Sequence, residues 1–536
     1  MFSFIERYKY LTIIITLALA ILLLGLYFYF FRSAITTIAI PLSPPTSIYF
    51  DQIDTETIDY IQNKINTQTD DFQVIDNIDQ ADIIVSHQAG NNAVEIFHQP
   101  LILVSHRQTL IDNINLDSDQ YLDKTYLQWE KILVAPEYYS VAITISDPSV
   151  ITTIDDRTEI INQVTQNPTA LAFIPLSQLN IYVHPLSINN ISALDDPDLY
   201  PVQASIFISS VDQKLTNDFK ETIGTLPSPS PITSVLAVGD IMMGRYVGVK
   251  IARSGDYTHS FQYVSDYLQQ PDITFAQLET PIAPTNLTSE GMILVAAPET
   301  VQGLTASGID LVSLSGNHFG DALRDGMEST FQILDENNIK YIGAGRSEDE
   351  AFNYQVIEKN GTKFGFISFV NIMPDSYGAA GDIAGSAWVD FNSDQDLEKV
   401  TASIKKTKAN CDILIVGFHW GTEYTPHPTT NQIKFAHAAI DAGGDLVVGT
   451  HPHVVQADEI YHDKYIIYSL GNFIMDQMWS TETTEGVLMP IYVQNKQIIS
   501  LDLVPTQIID YSQVKIIPKS TGADILHRIW EANGTL

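Results

Sequence analysis

Apolar runs of strand length recur through the second half of the chain, and each stops abruptly at a residue able to bind metal or bend the backbone. Residues 235–240 read VLAVGD and end in Asp240; 273–279 read ITFAQLE and end in Glu279. The run at 311–315 passes straight into Gly316, Asn317 and His318, and the run at 412–419 ends in His419. Residues 445–453 end in His451-Pro452-His453, and 465–470 lead into Gly471, Asn472 and Phe473. Short continuous apolar runs bounded by turn residues predict buried strands. Amphipathic stretches at 325–337 and 432–442 predict intervening helices. Strands that alternate with helices indicate an α/β domain, and open α/β sheets place their chemistry at strand ends. Further on, 487–493 and 497–504 pattern as a hairpin expected to close the sheet by Pro505, and 523–532 as a C-terminal helix.

The first half has a different rhythm. Residues 11–30 form an uncharged apolar run, about 30 Å long as a helix, which matches the hydrocarbon core of a bilayer. Arg7 and Lys9 precede it, and only Arg32 follows closely, so the positive-inside rule places the N-terminus in the cytoplasm and the remaining chain outside. The run exceeds a usual signal-peptide core and no A-x-A site follows, which favours an uncleaved anchor over a cleaved signal peptide. The expected organisation is a cytoplasmic tip and anchor over 1–33, then a Pro-rich spacer over 34–45 holding Pro41, Pro44 and Pro45. Strand-like runs at 47–50, 82–86, 101–105, 141–145 and 170–175, with a helical pattern at 55–65, predict a smaller α/β domain over 46–226. A Pro/Ser linker at 227–233 separates it from the main domain at 234–505, and 506–536 is left as an extension.

Composition narrows the chemistry. Against 28 Lys and Arg stand 64 Asp and Glu, a formal net charge of −36, which excludes nucleic acid as a partner because that needs clustered cations. Tight binding of any polyanion would then require local positive charge such as a metal ion. The single cysteine, Cys411, excludes an intrachain disulfide framework and lies in an apolar run, where a buried, inert thiol is expected.

Two carboxylates, several imidazoles and an Asn amide at successive strand ends form a donor set suited to Mn, Fe, Co or Zn. Alone, Asp240 reads as a helix cap, His419 as a core histidine, and Asn317-His318 as a turn. A rigid His451-Pro452-His453 at a strand end is harder to explain without a metal. The two glycines beside Asp240 and Asn317, Gly239 and Gly316, would let the chain turn sharply.

FHWGTEY at 418–424, GTHPHVVQ at 449–456 and YSLGNFI at 468–474 resemble the CapA family associated with capsular poly-γ-glutamate synthesis, a relative of the calcineurin-like metallophosphoesterases. The resemblance runs from about 234 to 505 and implies a four-layer α/β/β/α sandwich preceded by the anchor and the smaller domain. It implies one or two divalent ions. Asp240 and His453 would hold the first ion, Asn317, His419 and His451 the second, and Glu279 would bridge them. His318 would act as general acid, oriented by Asp321, while Arg245, Glu423 and Asn472 would support these ligands or touch substrate. Typical phosphoesterases carry Asp-x-His on the first strand; Met242 stands here instead, which favours a single ion. The usual Asn-Leu-Glu reads Gln277-Leu278-Glu279. Residues 167–202 loosely resemble the second half of a periplasmic phosphate-binding domain, with no binding residue carried over.

Three functions follow as expectations. The first is a membrane-anchored, outward-facing protein with a metal-dependent hydrolase-type site, taking part in synthesis, export or trimming of a capsular polyanion such as poly-γ-glutamate, with polyglutamate synthesis or export machinery as its partner. The second is an extracellular metallophosphoesterase acting on phosphate esters. The third is a non-catalytic ligand-binding scaffold.

Overall fold

The computed structural model describes residues 16–24, 26, 45–53, 55–68, 72–116, 122, 129–224, 230–285 and 291–536. Two sheets dominate residues 233–516. The larger has nine strands, seven of which run in the order Lys340–Ile342, Leu311–Ser313, Ile273–Leu278, Thr233–Ile241, Glu485–Gln494, Val504–Ile509 and Gln513–Ile516. Asn472–Ile474 also pairs with Thr233–Ile241, and Gln497–Leu501 with Glu485–Gln494. The second sheet has six strands, Gln355–Lys359, Thr362–Val370, Ile413–His419, Leu446–Thr450, Lys464–Ile467 and Asp458–Tyr461. Its four central strands are parallel, as are the four at the Lys340 end of the larger sheet.

Side-chain alternation decides which face goes where. Val235 and Ala237 join Phe275, Phe366, Ile415, Leu446 and Met489 in the core between the sheets. Their neighbours Leu236 and Val238 point the other way, into a core with Ile251, Met327 and Phe331 from the helices Arg245–Ser254 and Leu323–Glu336. The second sheet repeats the device. Ile413 and Ile415 face inward, while Leu414 and Val416 pack on Val400, Ile404, Phe435 and Ala439 of Asp394–Lys408 and Thr430–Asp441. The layers therefore run helix, sheet, sheet, helix. Each such buried side chain contributes roughly 1.5–3 kcal/mol, so a single charge at Val235 or Leu236 would breach one core.

Local signals set the helices. Thr429 and Gln432 form a reciprocal capping box at the start of Thr430–Asp441. Asp394–Lys408 is capped by Ser393, with Asp394 and Asp396 in its first turn and Lys405, Lys406 and Lys408 in its last, which complements the helix dipole.

The sheet does not close at Pro505. Val504–Ile509 and Gln513–Ile516 extend it, and helix Ala523–Ala532 buries Ile525, Leu526 and Ile529 in the inter-sheet core. The hairpin was expected to close the sheet by Pro505, yet Pro505 lies within the next strand, opposite Val487, whose N–H goes to the Leu470 carbonyl. Residues 506–536 are thus part of the domain. The run at 141–145 is also not a strand. Pro136 opens a 3-10 turn, Pro136–Tyr138, that continues into the helical turn Tyr139–Ala142.

Contacts divide the chain into two compact units, cut within the predicted 46–226 segment. One comprises residues up to Val94 together with Phe207–Gly224; the other comprises Glu95–Ile206 and Thr225–Leu536. In the first unit, parallel strands Phe72–Val74, Thr46–Asp51 and Ile83–Ser86 are joined by antiparallel residues 207–209, and Phe72 meets Phe219 edge-on. In the second, residues 95–206 build a sheet from Lys131–Val134, Ile151–Thr153 and Ala170–Pro175, the last pairing antiparallel with residues 101–104. Among the described residues no helix is long and apolar enough to cross a membrane. Of the predicted anchor at 11–30, residues 16–24 and 26 are helical and exposed, and the others lie outside the described residues, as does most of the spacer and part of the 227–233 linker.

Candidate metal centre

The strand ends of both sheets meet at one edge. Asp240 lies near the end of Thr233–Ile241, Glu279 directly follows Ile273–Leu278, and His419 ends Ile413–His419. His451 and His453 follow Leu446–Thr450, and Asn472 opens Asn472–Ile474. The register of Thr233–Ile241 slips between Val238 and Asp240, a bulge that re-aims the carboxylate. Gly239 is required there for close approach, since a Cβ would lie 2.3 Å from the Gly471 carbonyl oxygen.

Asp240 Oδ2 accepts the His451 backbone N–H at 3.1 Å, and its Oδ1 lies 3.7 Å from His419 Nδ1. His453 Nε2 is 3.8 Å from Glu279 Oε1. Ligand atoms of Asp240, Glu279 and His453 all fall within 4.8 Å of one another, as do those of Glu423, His451 and His453. Asn317 and His419 meet directly, Oδ1 to Nε2, at 2.8 Å, and Thr450 Oγ1 lies 3.1 Å from His419 Nδ1.

The electrostatics of this cluster are unbalanced. Asp240 and Glu279 are 0% exposed, yet Asp240 Oδ1 and both Glu279 oxygens have no hydrogen-bond partner, and neither does the buried His451 Nδ1. Each such orphaned group costs roughly 1–3 kcal/mol, and more when charged. Burial pushes the Asp240 carboxyl up to about 7 against the N–H bond from His451. Burial, then the charge of Asp240, lifts Glu279 well above the carboxylate range. Burial also holds His419 and His451 well below the usual histidine value and brings His453 down to about 4. Neutral imidazoles facing buried carboxylates with free lone pairs fit a divalent cation, which would satisfy all of them together.

The surroundings fix these groups. Asn472 Oδ1 takes the Nδ1 proton of His453 at 2.9 Å, while its own amide donates to the Thr483 carbonyl at 2.9 Å. His318 Nδ1 lies 2.8 Å from Asp321 Oδ2, which also accepts the Leu294 N–H at 2.6 Å. Arg245 is clasped by Asp476, whose Oδ2 takes the Arg Nε proton at 2.8 Å and the Tyr246 N–H at 3.1 Å. His451 and His453 adopt φ of 97° and 60°, and Tyr424 and Arg245 lie at 63° and 47°. Such backbone costs on the order of 1–3 kcal/mol per residue and concentrates at functional sites.

All eleven residues singled out from the sequence therefore lie in or against this cluster, but not always in the expected company. Glu423 lies with His451 and His453 rather than behind them. Met242 is buried in the helix-side apolar core, its N–H bonded to the Ile474 carbonyl, so it is a packing residue. Gln277 is buried with its Nε2 unpaired. Asp476, Thr450, Tyr424 and Trp479 were not anticipated; the Asp476-Gln477 pair closely following Asn472 was the available hint. A further acidic group, Asp112, His184 and Asp502, surrounds a lysine instead, with Lys519 Nζ 2.6 Å from both carboxylates. Cys411 is half-buried, and burial raises its thiol to about 11, which leaves it unreactive.

Residues 234–477 match the family described as bacterial capsule synthesis protein PGA_cap. The chain is 33% identical over 277 residues to the capsule biosynthesis protein CapA of Bacillus anthracis, covering 51% of this chain and 66% of that one. It is 30% identical over 283 residues to the PGA biosynthesis protein CapA of Bacillus subtilis, covering 52% of this chain and 72% of that one. Among solved structures, an ABC-type phosphate transport receptor from Vibrio cholerae is similar at 12% identity and a TM-score of 0.27, over 33% of this chain and 93% of the receptor.

Proposed function

Because this chain belongs to the CapA-type family of bacterial capsule synthesis proteins, we propose that it works in capsular poly-γ-glutamate biosynthesis through a metal-dependent hydrolytic site that trims or releases the polymer. The observation that carries the hydrolytic reading is the buried, unsatisfied set of Asp240 Oδ1, both Glu279 oxygens and His451 Nδ1. Asp240, Glu279 and His453 would hold one ion. Glu423, His451 and His453 would hold a second beside it, with the Asn317–His419 pair next to His451. When bound, the metal supplies Lewis-acid chemistry at the reacting centre.

The protein's own groups do the remaining work. His318, held by Asp321, would deliver a proton to the departing group. Asp476 fixes Arg245 so that its guanidinium offers a stationary positive charge to a substrate carboxylate. The apolar run at 11–30 would anchor the protein with this site facing outward, near synthesis or export machinery. Incubating the purified chain with poly-γ-glutamate and Mn or Zn should shorten the polymer on a gel, and Glu279→Gln and His451→Ala should abolish that. Shortening that persists in both variants would sink the reading.

A second reading, hydrolysis of phosphate esters, draws on the same acid–base pair and donor set. Turnover of phosphate mono- or diesters with poly-γ-glutamate left intact would select it.

A further inference from the structure

Two large aromatic side chains stand in the open beside the metal centre. Tyr424 is 47% exposed and Trp479 is 61% exposed, and their rings meet edge-to-face with centroids 6.0 Å apart. Tyr424 also lies over His453, ring centroids 6.0 Å apart and nearly parallel at 27°. His453 belongs to both groups of candidate ligands, so the platform directly adjoins the reacting centre.

The platform is held rigidly. Tyr424 sits at φ 63°, strained for a bulky residue, and its N–H is tied to the Pro452 carbonyl between the two histidines at 2.8 Å. Gly421, at φ 94°, lies so close to Gln432 that a Cβ would fall 2.5 Å from its Oε1. Buried Gln456 then pins the next residues, donating to the Thr425 carbonyl at 2.9 Å. On the other side, Asp476 anchors the approach to Trp479 through Arg245, and Thr483 Oγ1 bonds the Gln477 carbonyl at 2.6 Å. Strain and pinning that display an aromatic ring to solvent serve no packing purpose, and a preorganised ring costs little entropy on binding.

We infer that Tyr424 and Trp479 form the subsite that grips the planar amide units of a γ-glutamyl chain as it enters the metal centre. This rests on the capsule-polymer reading above. The charge balance supports it: with a formal net charge of −36, the protein repels a polyanion at long range. Attraction must then come from local cations and uncharged contacts. A γ-glutamyl chain alternates planar amides with carboxylates. The amides match the two ring faces, while a carboxylate reaches Arg245, whose Nη1 has only a long 3.4 Å bond to the Gly291 carbonyl. A nucleobase would fit the same faces, and the test separates the two.

The experiment titrates the full chain, with Mn present, with defined γ-glutamyl oligomers and separately with nucleoside mono- and diphosphates. It follows tryptophan emission and steady-state cleavage. Of the five tryptophans Trp479 is the exposed one, Trp388 and Trp530 being half-buried and Trp129 and Trp420 buried, so an emission change absent from Trp479→Phe reports on the platform. Oligomers should shift the emission. Trp479→Ala and Tyr424→Ala should raise Kd and KM roughly 3- to 10-fold, the scale of one aromatic contact, with kcat within about twofold. Trp479→Phe and Tyr424→Phe should restore most of the loss, and unfolding temperatures should match the parent. Parent-like binding and KM in both alanine variants, with cleavage intact, would overturn the subsite and leave the capsule-polymer reading standing. No binding or cleavage of any oligomer by the parent would overturn both. Competition by nucleotides alone would assign the platform to a base and reject the amide.

Discussion

Asn472 takes the Nδ1 proton of His453 at 2.9 Å, which leaves His453 Nε2 as a bare lone pair 3.8 Å from Glu279 Oε1. The amide cannot reverse freely, because its nitrogen donates to the Thr483 carbonyl. One buried amide thus sets the tautomer of a central candidate ligand. Asn472→Ala should weaken Mn or Zn binding about 10- to 100-fold by calorimetry, and Asn472→Asp should retain most of it. Equal affinity in Asn472→Ala would show that the tautomer is set elsewhere.

Metal affinity should depend on pH in a definite direction. With burial bringing His453 to about 4 and holding the other two imidazoles well below their usual value, protons on these imidazoles do not compete with metal near neutral pH. The Asp240 carboxyl, raised to about 7, still carries a proton below that pH, and an incoming ion must expel it. Affinity should therefore climb from pH 5 to 7, by up to about tenfold per unit for each proton displaced. A flat profile across that window would count against ligation by these carboxylates.

The His318–Asp321 pair should affect turnover and not metal loading. His318→Asn should lower kcat by about 10²–10⁴-fold with metal content unchanged, and Asp321→Asn by less, because it orients the imidazole without meeting substrate. Loss of metal in His318→Asn would recast it as a ligand.

Arg107 and Asp458 tie residues 95–206 to the sheet domain within one compact unit. Asp458 is fully buried, and Tyr465 donates to it at 2.6 Å and Asn533 at 2.7 Å. Burial pushes its carboxyl up, but the Arg107 charge and these bonds outweigh that and hold it below the usual value. The stability it provides is thus present above the ordinary carboxylate range and is lost as pH falls through the depressed folded value. Asp458→Asn should cost about 3 kcal/mol in denaturant unfolding, the lower end for a broken buried pair because the Arg107 side chain keeps 20% exposure. A change below about 0.5 kcal/mol would mean that water already compensates Arg107.

The strand-end pattern carried the site because buried parallel strands are apolar on both faces, so a carboxylate or imidazole at their end stands out. That logic located Asp240, Glu279, His419 and His453. It could not locate Tyr424 or Trp479, whose positions depend on loop pinning by Gln432 and Gln456, contacts between residues distant in sequence. Met242, standing where phosphoesterases carry a second ligand on this strand, packs past the bulge at Gly239 into the helix-side core. The Pro505 strand was hidden for a similar reason: proline reads as a stop unless its strand partner is known. Nor could composition divide 46–226, because the cut at Val94 and again at Ile206 follows contacts between separate stretches of chain.

The central claim is that the buried Asp240–Glu279–His453 cluster, with its unpaired oxygens, is a divalent-metal site. The direct test is metal content and thermal unfolding of the purified chain after loading with Mn, Fe, Co or Zn, beside Glu279→Gln. The account predicts one or two bound ions and a higher unfolding temperature for the parent, with both sharply reduced in the variant. A parent chain that binds none of the four metals, and unfolds at the same temperature with and without them, would contradict it.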